Sequence, residues 1–338
     1  MRRFIQILIL LFVVTALVVE LLQLQNFWEH TNSPYGGSAL SIATNPNGDI
    51  FTGTFGGVFR STNNGDSWTE VNAGLDDSTL WSLAINPKGT IFAGSFFGGL
   101  FRSTDNGDSW RGINKGLSAT AILSLAINRS SDIFAGTFSG GVFRSTNNGN
   151  FWIEVNKGLP ETAILSLVIN RRGHIYAGTS DGVFRSTNNG FSWNKVNKGL
   201  TKTIVLSLAV NSRGHIFAGT SGGGVFRSTD NGDRWKEINE GLTDKIPWII
   251  TLFSSGTPTE ILTRNPHRVW SLVINSVGDI FAGTRGGVFR SADNGDSWTK
   301  INTGLTNTDV LSLAINSSGH IFAGTRGGGV FRSIDTML

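Results

Sequence analysis

A turn phrase of the STNNG or STDNG type recurs along this chain, opening at Ser61, Ser103, Ser145, Ser186, Ser228, Ser291 and Ser333, with spacings of 42, 42, 41, 42, 63 and 42 residues. A second phrase, SLAIN or a close variant, keeps the same beat from Ser82, Ser124, Ser166, Ser207, Ser271 and Ser312, with a weaker copy, SIATN, at Ser41. Seven units of this length constrain the fold more than any other feature. A unit of about 42 residues cannot bury its own apolar face, so neighbours must stack on one continuous core. The 338 residues are therefore read as one repeat domain after the N-terminus, although length alone suggests two.

Within a unit the pattern is four short strands: SLAIN, TIFAG, GVFRS and a strand opening at Trp, as in WTEVN. Gly, Asn, Asp and Ser clusters separate them, the punctuation of an antiparallel meander. Gly contributes 44 residues and charged residues only 15%, which suits tight turns better than helices. The second strand ends in Ala93-Gly94, so side chains shrink where strands would crowd around a shared axis.

The motif Ser61-x-Asn63-x-Gly65-x-x-Trp68, its copy Ser103-x-Asp105-x-Gly107-x-x-Trp110, and the copies holding Asp230 with Trp235 and Asp293 with Trp298 resemble the Asp-box (BNR) repeat. The resemblance covers residues 27–338 and implies a β-propeller like those of sialidases, xyloglucan-cleaving glycosidases, sortilin and the photosystem II stability/assembly factor. The turn also has its own logic. An Asp or Asn oxygen can accept backbone amides, Gly107 can take positive φ, and the hairpin returns along the Trp strand. One carboxylate or none per turn is too few oxygen ligands for calcium, so no metal or cofactor is expected.

The seventh unit stops at residues 333–338, before its Gly and Trp strand, whereas Asn26-Phe27-Trp28-Glu29-His30-Thr31-Asn32 resembles Asn150-Phe151-Trp152-Ile153-Glu154-Val155-Asn156. The expected fold is thus all-β: a seven-bladed propeller of four-stranded antiparallel blades, closed by an N-terminal strand that completes the last blade. Such closure leaves no open sheet edge, and a monomer is expected.

Residues 1–25 read differently. Arg2 and Arg3 precede an apolar run broken only by Gln6 and Thr15, the layout of an export signal, with Val14-Thr15-Ala16 as a small-residue cleavage site. Apolar residues continue past that site, so the segment is either a cleaved signal peptide or a helical membrane anchor. Either places the remainder outside the cytoplasm. The net charge of +4 is spread through the repeats without a basic run, which argues against nucleic acid. With no cysteine, thiol catalysis and disulfides are excluded.

Positions identical in every unit are explained by folding, so function is sought where units differ. The arginines preceding each turn Ser (Arg60, Arg102, Arg144, Arg185, Arg227, Arg290, Arg332) are read as braces, and His174, His215 and His320 as turn residues on separate blades. After the second strand the units read TFGG, SFFGG, TFSGG, TSDG, TSGGG, TRGG and TRGGG. Phe55, Phe96, Phe97 and Phe138 therefore lie in units one to three, Arg285 and Arg326 in units six and seven. Trp81 and Trp270 replace the Leu that opens the first strand elsewhere. The insertion 244–268 falls on the same face. Its Pro, Gly, Ser and Thr content predicts an irregular loop, and its apolar residues, Trp248 among them, either cap the channel mouth or meet a partner. Aromatics beside arginines can stack on sugars or apolar side chains and pair with carboxylates.

Two functions follow. One is a non-catalytic binding or assembly scaffold for a protein, peptide or glycan. The other is a glycoside hydrolase, which needs two carboxylates at a set separation or, in sialidases, a Tyr nucleophile. The candidates on the variable face are Asp76, Asp77, Glu161, Asp181, Asp244, Glu260 and Asp309, none distinguished by its setting. Of the two tyrosines, Tyr35 and Tyr176, the latter occupies a core Phe position, and a sialidase-type FRIP signature is replaced by FRS throughout. The scaffold is the preferred reading.

Overall fold

The computed structural model describes residues 26–32, 37–242, 248–254, 257–263 and 268–337. The N-terminal segment 1–25 and Tyr35 lie outside them. The described residues form seven four-stranded antiparallel sheets and one separate two-stranded sheet, with no helix among them. Blade 1 shows the plan: Ala39–Thr44, Ile50–Thr54, Gly57–Ser61 and Thr69–Glu70, in that order from the axis outward. Blades 2 to 6 span 80–112, 122–154, 164–195, 205–237 and 269–300. Blade 7 takes Val310–Ile315, Ile321–Thr325 and Gly329–Ser333, and its outer strand is Trp28–His30, in the register Trp28↔Ser333, Glu29↔Arg332 and His30↔Phe331. Side-chain bonds run from this blade to blade 1, from Ser312 Oγ to the Ala39 carbonyl (3.0 Å) and from Asn316 Nδ2 to Asn64 Oδ1 (2.8 Å).

The second strands are buried at every residue because both faces are covered by neighbouring blades. Ile, Phe and Ala of the second strand pack against Val and Phe of the third, and the Trp of each fourth strand seals the joint with the preceding blade. Its indole Nε1 donates across that joint: Trp110 to the Val71 carbonyl, Trp152 to Ile113, Trp193 to Val155, Trp235 to Val196 and Trp298 to Ile238, at 2.7 to 2.8 Å. Trp28 makes the same bond to the Ile301 carbonyl at 2.5 Å. The fourth strands of blades 1 to 6 are only two residues long, so this indole bond supplements a short ladder. Tyr176 is fully buried, its hydroxyl on the Asn231 carbonyl.

Each Asp-box turn is closed by its own residues. In blade 2 the Ser103 hydroxyl accepts the Gly107 amide and donates to Asp105, whose Oδ1 accepts the Ser109 amide, while Asn106 and Gly107 take positive φ. Asn63 makes the equivalent bonds without charge. The Ser109 hydroxyl, then that of Ser103, then the Ser109 amide hold the Asp105 carboxyl at about 2, and the Ser297 hydroxyl and amide do the same for Asp293. These groups therefore stabilise the fold as anions, fully above the unfolded value of about 3.9. Their contribution is lost as pH falls from there through about 2. Both turns are exposed, so the effect is modest. Melting temperature against pH should show a shallower acid limb for Asp105→Asn with Asp293→Asn than for wild type; an identical limb would contradict the role given to these carboxylates.

The arginine braces are resolved as specific bonds. Arg60, Arg185, Arg227 and Arg332 reach the next blade's turn, pairing with Asp108, Asp233, Asp296 and Asp66 at 2.8 to 3.0 Å. Arg102 bonds there to the Asn148 carbonyl and Asn150. Arg144 faces Phe191 in place of such a partner and turns to Asp132 of its own blade, 2.7 Å away. Arg290 of blade 6 likewise takes Asp279 of its own blade, 2.6 Å away.

Candidate binding face

Antiparallel meanders give the ring two faces. Asp-box turns and first-to-second-strand turns share one, as the Asn45 to Asn106 side-chain bond (2.9 Å) shows; this is the turn face. The second-to-third-strand loops and the links between blades form the opposite loop face. Those loops are braced twice. A hydroxyl at the end of the second strand closes each, as Thr54 does by accepting the Gly56 amide and donating to the Gly57 carbonyl. An Asn of the outer strand then clasps the loop from outside: Asn72 Oδ1 accepts the Val58 amide and its Nδ2 donates to the Gly56 carbonyl, and Asn114, Asn156, Asn197, Asn239 and Asn302 repeat this. Side chains on such loops are displayed from a rigid frame. These asparagines were not singled out from sequence, although the repeated VN or IN after each Trp is a readable signal.

The structure brings four of the candidate residues together. Phe96 lies between Trp81 (6.0 Å between ring centroids), Phe97 (5.0 Å) and Phe138 (6.2 Å), joining blades 2 and 3. Phe97, Phe138 and Trp81 stay 70%, 55% and 38% exposed, so clustering does not remove this apolar surface from water. Asp77 shapes it from below by accepting the amides of Thr79, Phe97 and Gly98. Burial raises this carboxyl, but those bonds and the Ser95 hydroxyl outweigh it and hold Asp77 below the usual carboxylate range. A second group forms around Trp270, with the Arg268 guanidinium 5.5 Å and that of Arg326 5.9 Å from its ring. Arg326 also pairs with Asp309 at 2.8 Å. Arg268 was read from sequence only as the end of the insertion. Phe55 and Arg285 are exposed but join neither group.

Trp81 and Trp270 owe their placement to a β-bulge. In every blade the register of the first and second strands slips at this residue, between Leu80 and Ser82 and between Val269 and Ser271 in the two cases. A bulge re-aims the extra side chain, and here it turns Leu40, Trp81, Leu165, Leu206, Trp270 and Leu311 toward a central channel of about 250 Å³. Serines one residue on stitch the channel wall, as Ser124 Oγ does to the Ile164 carbonyl.

The insertion departs from its expected irregularity. Trp248–Ser254 and Thr257–Thr263 pair as an antiparallel hairpin in unbroken register from Trp248↔Thr263 to Ser254↔Thr257. Ile and Thr populate both arms, and this β-branched content outweighs the Pro and Gly that suggested a loop. The candidate Trp248 sits at the base of the first arm. Among the described carboxylates weighed for hydrolysis, Asp77 is committed to loop amides, Asp309 to Arg326 and Asp181 to Lys195 (2.7 Å).

The family model described as the DUF6242 beta propeller domain matches residues 135–248. No curated protein sequence matches the chain. Among solved structures, the extracellular domain assigned to a one component system of B. thetaiotaomicron is similar over 93% of this chain and 41% of its own, with a TM-score of 0.73 and 17% identity. YCF48 bound to D1 peptide is similar over 93% and 97%, at 0.68 and 16%. The GH74 xyloglucanase from Xanthomonas campestris is similar over 90% and 52%, at 0.67 and 18%. The chain thus spans about half or less of the first and third of these proteins. At these identities the likeness is one of fold, and it agrees with the sheets described above: the chain is a seven-bladed β-propeller.

Proposed function

We propose that the chain is a non-catalytic binding propeller held outside the cytoplasm, which takes a peptide or glycan on its loop face. The exposed aromatic group of Trp81, Phe96, Phe97 and Phe138, fixed on clasped loops, carries this reading. Such a surface fits apolar side chains or sugar faces, and the Trp270 group with Arg268 and Arg326 adds cationic contacts beside the channel. The commitment of Asp77, Asp181 and Asp309 to structural partners favours binding over hydrolysis. The peptide bound by YCF48 and the extracellular location of the B. thetaiotaomicron domain support the same reading.

A peptide and glycan array would identify a ligand. With it in hand, Phe96→Ala should weaken binding by about 2 kcal/mol with little change in melting temperature, the signature of a hot spot. Asp105→Ala on the turn face should lower stability and leave affinity unchanged. The reverse outcome would move the site to the Asp-box turns, and saccharide hits that are slowly cleaved would restore the glycosidase.

A further inference from the structure

The loop face accounts for the aromatic surface of blades 2 and 3, but the turn face carries a second asymmetry. Ring geometry gathers basic residues that are scattered in sequence. The first-to-second-strand turns of blades 2 to 5 hold Lys88, Arg129, Arg171, Arg172 and Arg213, all exposed, while those of blades 6, 7 and 1 hold none. In blades 3 and 4 the effect is strongest, because their Asp-box turns, STNNGNFW and STNNGFSW, contain no carboxylate, whereas those of blades 1, 2, 5 and 6 each have at least one. Asp132, the acid of the adjoining turn, is paired with Arg144. No ion pair involves Arg129, Arg171 or Arg172 among the described residues. Arg129 and Arg171 flank a groove of about 220 Å³ floored by Asn128, Asn170 and Asn189. Beside it the same two turns expose Phe151 (45%) and Phe191 (59%).

The chain also enters the ring on this face. Asn26 and Phe27 occupy the place at which other blades complete the Asp-box turn, and the Ile334 amide of blade 7 donates to the Phe27 carbonyl. Asn26, which directly follows the apolar run of residues 1–25 in sequence, therefore stands at the rim of the turn face. In a ring of seven, blades 3 and 4 lie diametrically across from blade 7.

We propose that the turn face of blades 3 and 4 docks on anionic phospholipid headgroups of the membrane that holds residues 1–25. Arginines that attract phosphate and aromatics that enter the interface are the two components such a surface needs. The apolar segment and the patch hold one face at opposite edges, so the propeller lies flat and the loop face points away from the bilayer. This rests on the membrane reading of residues 1–25 given above.

The chain has no cysteine, so a single Phe191→Cys substitution can carry a fluorophore, with Phe97→Cys reporting the opposite face. The full-length protein is reconstituted into vesicles containing a nitroxide-lipid quencher, made of phosphatidylcholine alone or mixed with phosphatidylglycerol. Quenching is expected at position 191 with phosphatidylglycerol, weakly at 191 without it, and in neither case at 97. Adding Arg129→Glu, Arg171→Glu and Arg172→Glu should abolish the quenching at 191 while the protein stays with the vesicles. Quenching at 191 that is absent, independent of phosphatidylglycerol or insensitive to charge reversal would overturn the docking and leave the membrane segment standing. Protein that does not sediment with either vesicle would overturn both.

Discussion

Trp28→Ala should destabilise the propeller by about 3–5 kcal/mol, the usual cost of truncating a packed Trp. Trp28 is 1% exposed and packs with Phe281, Leu305 and Phe331, residues of blades 6 and 7 and the link between them. Its indole bonds to the Ile301 carbonyl, and the Phe27 and Trp28 amides both donate to the Thr303 carbonyl. Trp68 offers the control. It is only half-buried, and its Nε1 reaches the Thr31 hydroxyl at 3.3 Å in place of a carbonyl. Trp68→Ala should therefore cost less, about half as much on the same scale. Urea denaturation of the two variants makes the comparison. Equal losses, or a loss below about 1 kcal/mol for Trp28→Ala, would refute the reading that the N-terminal strand locks the ring.

The pairing of Trp28–His30 with blade 7 was legible because a Trp follows the turn Ser by seven residues in six units, while position 28 carries a like Trp with no turn phrase before it. The blade count and strand order follow from the same periodicity. What periodicity could not show is which variable residues meet. Phe55 and Phe138 look alike in sequence, yet only Phe138 comes into ring contact with Phe96, with 6.2 Å between centroids. Arg285 and Arg326 occupy the same repeat position, but only Arg326 has Trp270 and Asp309 within reach. Sequence spacing hides the proximity of charges for a related reason. Arg129, Arg171, Arg172 and Arg213 are spread over 85 positions of sequence and look dilute, while the ring sets their turns side by side. The insertion was misjudged because its Pro, Gly and Ser outweighed the β-branched Ile and Thr of its two arms, which pair across the hairpin.

One repeated glycine carries the second large effect. The Gly after each outer strand, in N-x-G-L, meets the next blade's Trp: an added Cβ at Gly74 would overlap the Trp110 carbonyl oxygen, at Gly116 that of Trp152, and at Gly158 that of Trp193. Gly304 stands in the same relation to Trp28. At Gly158 φ is +91°, and the preceding Lys157 carbonyl accepts the Trp193 amide at 2.9 Å. Gly173, in a first-to-second-strand turn of the same blade as Trp193, has φ +81° but nothing within 4 Å of the Cβ position. Gly173→Ala therefore suffers left-handed strain alone, about 1–2 kcal/mol. Gly158→Ala adds the steric term: the Trp193 carbonyl must retreat, which strains the Lys157 bond and lifts an indole that is 3% exposed. Its total should reach about 4 kcal/mol or more, the range reserved for substitutions that break packing and backbone together. Chemical denaturation of the two Ala variants separates the terms, because the strain is common and only the contact differs. If both lose the same amount, the joints between blades yield without cost, and the Gly-Trp contact is a consequence of packing and not one of its causes.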